Sequence, residues 1–334
     1  MTKKIFIFLV IAIVAFAILA YNNNTTAYKS FNISPDYRDI CYYKNQVYYI
    51  YDNSINSYNV DTKKNKKLYT YNDIKENFYI NELCVNNEFL LWVEINSDNE
   101  SNLIKYNKNN DSIMVIREST QSKSIIPICL TISNSNVATW YESEYNEKTE
   151  ELNERIIIYD LEKDTIIEKK AYLHGNPYLR PYIENNNIAY PFKENNKNFI
   201  DIYNIKIKTS KKIECVSEIA KMISNGEYTI WLDNYNDRNI YIYDNTNDSY
   251  EMIEGSLNIF TFTLINDILY ISYTRDQHGY PNIESINLKT REQKSVTNND
   301  NINNIYYISK PNVENKFMYQ LVKEESLKLF IKMK

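Results

Sequence analysis

The 334-residue sequence predicts an all-β fold: a seven-bladed β-propeller of four-stranded antiparallel blades, preceded by one N-terminal hydrophobic helix. Three observations carry this. A strand-like segment recurs seven times. A second strand series interleaves with the first. Only four residues are glycine, so the glycine-rich motifs of dinucleotide-binding, P-loop and α/β-hydrolase folds cannot be written.

The N-terminus sets the compartment. Lys3 and Lys4 precede an unbroken apolar run from Ile5 to Ala20. As a helix, those residues span about 24 Å, short of the roughly 30 Å hydrocarbon core, with Tyr21 placed for the interface. Residues 1–21 therefore read as a signal peptide or a membrane anchor through residues 5–21, residues 22–26 as a linker, and residues 27–334 as the propeller. Lysine on the short side keeps that end inside, so the remainder is expected outside the cytoplasm, held at the cell membrane or secreted.

Composition excludes several functions. With 38 basic and 43 acidic residues the net charge is −5, which argues against nucleic acid as a partner. Two histidines, His174 and His278, cannot build a three-histidine metal site or an HExxH motif. No metal and no cofactor is expected. The 49 Asn and 32 Tyr follow from A/T-rich codons, so a tyrosine alone is no binding signal. Cys41, Cys84, Cys129 and Cys215 lack CxxC spacing, and apolar neighbours make them small buried hydrophobes rather than disulfides.

The first series begins at Val47, Phe89, Val137, Ile188, Tyr228, Ile268 and Phe317, a mean spacing of 45 residues. Trp92, Trp140 and Trp231 each take its fourth position, which points to packing between repeats. The second series reads apolar-x-Tyr-Asp/Asn, with Tyr58, Tyr106, Tyr159, Tyr203, Tyr243, Ile286 and Phe330 at the aromatic position. A strand precedes each first-series segment and a polar turn with a further strand follows most second-series segments, giving four strands per repeat. Asn-rich pairs such as Asn86-Asn87 and Ser135-Asn136 supply hairpin turns with little glycine, because Asn tolerates left-handed backbone. Asn107-Lys108-Asn109-Asn110-Asp111 spaces oxygens as a calcium loop does but lacks the later Gly and Glu, so turn chemistry explains it. The last repeat lacks its fourth strand, and Ala27–Ser34 is expected to complete it and close the ring. Six blades with Asn304–Lys334 packed outside is the alternative.

Asn136-Val137-Ala138-Thr139-Trp140 followed by Arg155-Ile156-Ile157-Ile158-Tyr159-Asp160-Leu161 resembles the repeats of TolB-like, WD40-like bacterial β-propellers. The resemblance implies a fold and no activity. This sequence departs from the family in its strand 3–4 turns, where Asn, Lys and Asp replace the usual glycine.

Ligands of propellers generally meet the face carrying the 2–3 and 4–1 loops. There, Arg275, His278 and Tyr280 combine a forked donor, a titratable ring and a stacking face. His174 lies in a 4–1 loop, and Arg38, Glu82, Arg180 and Lys221 border the channel. The candidate ligand-binding residues are Arg275, His278, Tyr280, His174, Arg180 and Arg38; no catalytic residue is assigned. The acidic stretch 142–154 reads as a solvated loop. The expected function is a non-catalytic binding or scaffold module for a partner protein or a cell-envelope glycan. The alternatives are an extracytoplasmic glycan-active hydrolase or lyase with a site at the channel mouth, and an inert spacer. Deleting residues 27–34 is expected to unfold or aggregate the propeller, and an unchanged melting temperature would refute that strand's role.

Overall fold

The computed structural model describes residues 28–32, 39–71, 79–95, 100–119, 123–146, 151–171, 179–184, 186–233, 239–254, 258–274, 282–297, 305–308, 318–323 and 326–332. After β1 (Tyr28–Asn32), the strands fall into blades of four. Blade I holds β2 (Ile40–Tyr43), β3 (Gln46–Tyr51), β4 (Ser54–Asn59) and β5 (Lys64–Thr70). Blade II holds β6 (Tyr79–Val85), β7 (Phe89–Ile95), β8 (Ser101–Asn107) and β9 (Ser112–Glu118). Blade III holds β10 (Lys123–Ile132), β11 (Val137–Asn146), β12 (Glu151–Asp160) and β13 (Thr165–Ala171). Blade IV holds β14 (Tyr182–Glu184), β15 (Asn187–Glu194), β16 (Lys197–Asn204) and β17 (Thr209–Cys215). Blade V holds β18 (Ile219–Ser224), β19 (Tyr228–Asp233), β20 (Ile240–Asp244) and β21 (Ser249–Ile253). Blade VI holds β22 (Asn258–Ile265), β23 (Ile268–Thr274), β24 (Asn282–Asn287) and β25 (Gln293–Ser295). The first-series segments are the second strands and the second-series segments the third.

Five apolar cores join these blades face to face. Ile50 and Ile55 meet Trp92 and Leu90 between I and II. Leu91 and Val93 meet Trp140 and Ile157 between II and III. Tyr141 and Ile156 meet Ile188 and Tyr190 between III and IV. Ala189 and Ile200 meet Trp231 and Tyr241 between IV and V. Ile230 and Ile242 meet Phe262 and Ile271 between V and VI. Trp92 and Trp140 are fully buried, and truncating such a side chain to alanine costs roughly 3–5 kcal/mol.

The expected count of seven blades is corrected by this packing. Five cores join six blades, and no helix occurs among the described residues, so the expected N-terminal helix falls outside them along with residues 1–27. The chain ends form a further four-stranded sheet, ordered β1-β28-β27-β26, from β26 (Ile305–Ile308), β27 (Met318–Lys323), β28 (Ser326–Lys332) and β1. Its faces lie outside the described side chains. The repeat spacing counted this sheet as a seventh blade, completed by residues 27–34. Within it, Tyr28 stands opposite Lys332 and Asn32 opposite Lys328.

The strand 3–4 hairpins explain the recurring Asp/Asn. Asn59, Asp160, Asn204, Asp244 and Asn287 each turn Oδ1 onto two backbone N–H groups two and three residues on, at 2.8–3.1 Å. Asn107 accepts from Asn109 N at 2.9 Å, so the stretch with calcium-loop spacing is a turn of the same kind. Each hairpin then passes through one left-handed residue: Lys63, Asp111, Asp164, Lys208, Asp248 and Arg291, with φ between 53° and 62°. Asp111 and Asp248 also accept the hydroxyls of Tyr106 and Tyr243.

A left-handed non-glycine costs about 1–2 kcal/mol, against about 0.5–1 kcal/mol for glycine's extra unfolded freedom. Lys63→Gly is therefore expected to stabilise the fold by about 0.5–1 kcal/mol and Lys63→Val to destabilise it, read as opposite shifts of the urea midpoint at constant slope.

Candidate functional site

The inner strands of the blades enclose a channel, and their ladders are interrupted where they border it. Pairing skips residues between Asn81 and Cys84 in β6, Ile128 and Thr131 in β10, Ile219 and Lys221 in β18, and Ile259 and Thr261 in β22. These are β-bulges, which redirect side chains and release backbone groups. Glu82 and Cys129 sit at two of them in left-handed conformation, φ 55° and 59°.

One released group is used between neighbouring blades I and II. The Leu83 N–H, freed by the β6 bulge, donates to Asp39 Oδ2 at 2.7 Å, while Ile40 N donates to Asp39 Oδ1 at 2.8 Å. Burial pushes the Asp39 carboxyl above its ordinary value; the Arg180 charge and the two N–H groups oppose this without cancelling it. Arg180 Nη2 lies 3.1 Å from Glu82 Oε2, joining blade IV to blade II, and Nη1 donates to Leu130 O at 3.4 Å. Lys221 donates to the Thr261 hydroxyl and lies 5.2 Å from the Phe262 ring centroid.

A cavity of about 120 Å³ occupies the channel. It runs from Asp39 and Arg180 to Asn134, Glu184 and Asn225 at the 1–2 turns, with Cys41 and Cys84 on its wall. All four cysteines are thiols. Burial lifts the Cys41 thiol well above its ordinary value and that of Cys129 to about 12, so both stay protonated at neutral pH and are poor nucleophiles. Among the described residues, no group of three or more His, Cys, Asp or Glu could hold a metal ion.

Of the candidate residues, the structure places Arg180 in this cavity, near the expected channel residues Glu82 and Lys221. Arg275, His278, Tyr280, His174 and Arg38 lie outside the described residues. The reading of 142–154 as a solvated loop is corrected. β11 runs on to Asn146 and β12 starts at Glu151, with Glu142 opposite Arg155. Glu142 is buried, and Arg117 grips it with Nε at 2.7 Å and Nη2 at 2.5 Å. Burial raises its carboxyl, but the Arg117 bonds and charge outweigh it, and the net shift is downward.

Asp39 and Glu184 were not among the candidates. Asp39 directly precedes an inner strand, and that strand-start position was the available signal. A second pattern is legible only afterwards: Trp92-x-Glu94 and Trp140-x-Glu142, in which each indole N–H donates to the carboxylate two residues on, at 3.0 and 3.3 Å.

Comparisons with known proteins bear on the fold. The chain resembles the propeller domain of the Trilobed protease from Pyrococcus furiosus with a TM-score of 0.62 at 14% identity, covering 89% of this chain and 94% of that one. It resembles oligogalacturonate lyase from Vibrio parahaemolyticus with a TM-score of 0.61 at 11% identity, covering 93% and 97%. It also resembles a chain of a mitotic checkpoint complex with a TM-score of 0.60 at 12% identity, covering 93% and 92%. No family model and no curated protein matches the sequence. These likenesses, spread over a protease domain, a lyase and a checkpoint assembly, establish a β-propeller and leave activity to the site.

Arg180→Met tests the cross-channel pair. Asp39 titrates above its unfolded value, so its ionised form subtracts stability as pH rises through that range. Removing the Arg180 charge should raise the carboxyl further and leave Glu82 uncompensated. Because Arg180 is 37% exposed, the expected loss is about 1–2 kcal/mol at pH 7 rather than the larger cost of a fully buried pair. The loss should shrink at pH 4; a pH-independent loss in urea denaturation would refute the electrostatic account.

Proposed function

We propose that this protein is a non-catalytic binding propeller for a partner protein or an envelope polymer, displayed outside the cytoplasmic membrane. The observation that carries the reading is how the channel's acids are occupied. Asp39 directs both oxygens to backbone N–H groups, and Glu82 is opposed to Arg180. The Cys41 thiol on the wall is held protonated by burial. Groups held in this way stiffen a scaffold, and a rigid scaffold lowers the ordering cost of recognition by its loops. The 2–3 and 4–1 loops, with Arg275, His278 and Tyr280, are the proposed contact surface. The apolar run from Ile5 to Ala20 supports an extracytoplasmic location.

Mild crosslinking on intact native cells, followed by immunoprecipitation and mass spectrometry, tests this. A near-stoichiometric partner is expected, and it should be lost from the triple variant Arg275→Ala, His278→Ala, Tyr280→Ala at unchanged melting temperature. Cleavage of an acidic or neutral polysaccharide by the purified protein would instead establish a glycan-active enzyme and overturn the proposal.

A further inference from the structure

We propose that the cleft between blades V and VI, on the face of the 1–2 and 3–4 turns, binds a small hydroxylated ammonium of the amino-sugar class, with Tyr228 and Glu227 as its principal contacts. The cleft measures about 470 Å³, inside the roughly 300–1,000 Å³ range of small-molecule sites. Glu227 and Tyr228 reach it from the 1–2 turn of blade V. Asp244, Thr246 and Asn247 come from the 3–4 turn of the same blade, and Leu288 and Lys289 from that of blade VI.

Tyr228 carries the argument. It is only 6% exposed, yet among the described residues no hydrogen bond reaches its hydroxyl. Burial pushes the phenol above its ordinary value; Asp244, Asp267 and Glu227 add to this and Lys289 opposes it. Three of these four line the cleft, so the hydroxyl meets it as a neutral donor. A sheltered hydroxyl without a partner forfeits a hydrogen bond that a ligand can supply.

The other groups keep capacity for a ligand. Lys289 donates to Asp267 Oδ2 at 2.9 Å and to Glu227 Oε2 at 3.5 Å, which leaves Glu227 Oε1 uncommitted among the described residues. Asp244 accepts Thr246 N and Asn247 N on Oδ1 and Asn247 Nδ2 on Oδ2, leaving the Thr246 hydroxyl and Asn247 Oδ1 uncommitted in the same sense.

Charge and polarity select the ligand. Glu227, Asp244, Asp267 and Glu251 stand against Lys289 and against Arg291, which pairs with Glu251 at 2.5 Å; carboxylates therefore outnumber cations. An ammonium meets that excess and gains charge-assisted hydrogen bonds. Hydroxyls on its frame meet Tyr228, Thr246 and Asn247. A bare aliphatic amine fits worse, because Leu288 is the only aliphatic residue among the described lining. This face lies opposite the 2–3 and 4–1 loops, so failure to capture a partner through those loops does not bear on the cleft.

The experiment is calorimetric titration of the purified protein with glucosamine at about pH 6, where the sugar amine is protonated. Glucose and propylamine are the comparison probes, at matched ionic strength. Glucosamine should bind saturably and about tenfold more tightly than either. Tyr228→Phe keeps the buried ring, and Glu227→Gln alters an exposed side chain; each should weaken glucosamine about tenfold at unchanged melting temperature. If Tyr228→Phe fails to fold, Glu227→Gln decides the matter. Absence of saturable binding, or unaltered affinity in the variants, overturns the site. Glucose matching glucosamine overturns the role of the ammonium, and propylamine matching it overturns the sugar class.

Discussion

Face-to-face burial of neighbouring sheets is the constraint on which this molecule depends. A four-stranded sheet has two faces, and a central blade strand can leave neither in water. All seven residues of β7 are buried, which is why Phe89-Leu90-Leu91-Trp92-Val93-Glu94-Ile95 reads as a near-continuous apolar run and not as an alternation. The outermost strands have the opposite burden: the first four residues of β9 are exposed. Some polar groups enter the inter-blade layers with partners, as when Trp92 and Trp140 present indole N–H groups to Glu94 and Glu142. Burial raises Glu94, which has those donors but no cation, whereas Arg117 holds Glu142 below its ordinary value.

The scarcity of glycine shapes the rest. Tight hairpins need left-handed residues, and here lysine, arginine, aspartate and asparagine supply them. The Asx bonds onto the first residues of each 3–4 turn, and the tyrosine hydroxyl bonds onto Asp111 and Asp248, hold the backbone in a conformation these residues resist alone. The 1–2 turns use side-chain amides in a further way: Asn86 Nδ2 donates to Ser133 O and to Asn136 Oδ1, both at 2.8 Å, tying blade II to blade III at the channel rim.

The strand order was legible because it is written in local patterns: apolar runs, Asn turns and the Tyr-Asp/Asn step. The site was less so, because its geometry is non-local. Nothing near Asp39 in sequence announces that a bulge in β6 will aim the Leu83 N–H at it from 44 residues away. The acidic stretch misled for the same reason, since Arg117 neutralises Glu142 from a strand 25 residues earlier. The blade count failed at the terminal sheet, which repeat spacing counts as a seventh blade, whereas the five described cores join six.

That terminal sheet has a consequence for how the protein is made. Every other sheet pairs strands adjacent in the chain and can assemble as its own hairpins leave the ribosome. The pairing of β1 with β28 joins residues 28–32 to residues 328–332, so the first strand to emerge must wait for the last. Until then β1 offers an unpaired edge, in an arc of blades already folded beside it. Completion of that sheet is thus a late step of very long loop closure, and the interval before it is when the chain is most open to pairing with a second copy.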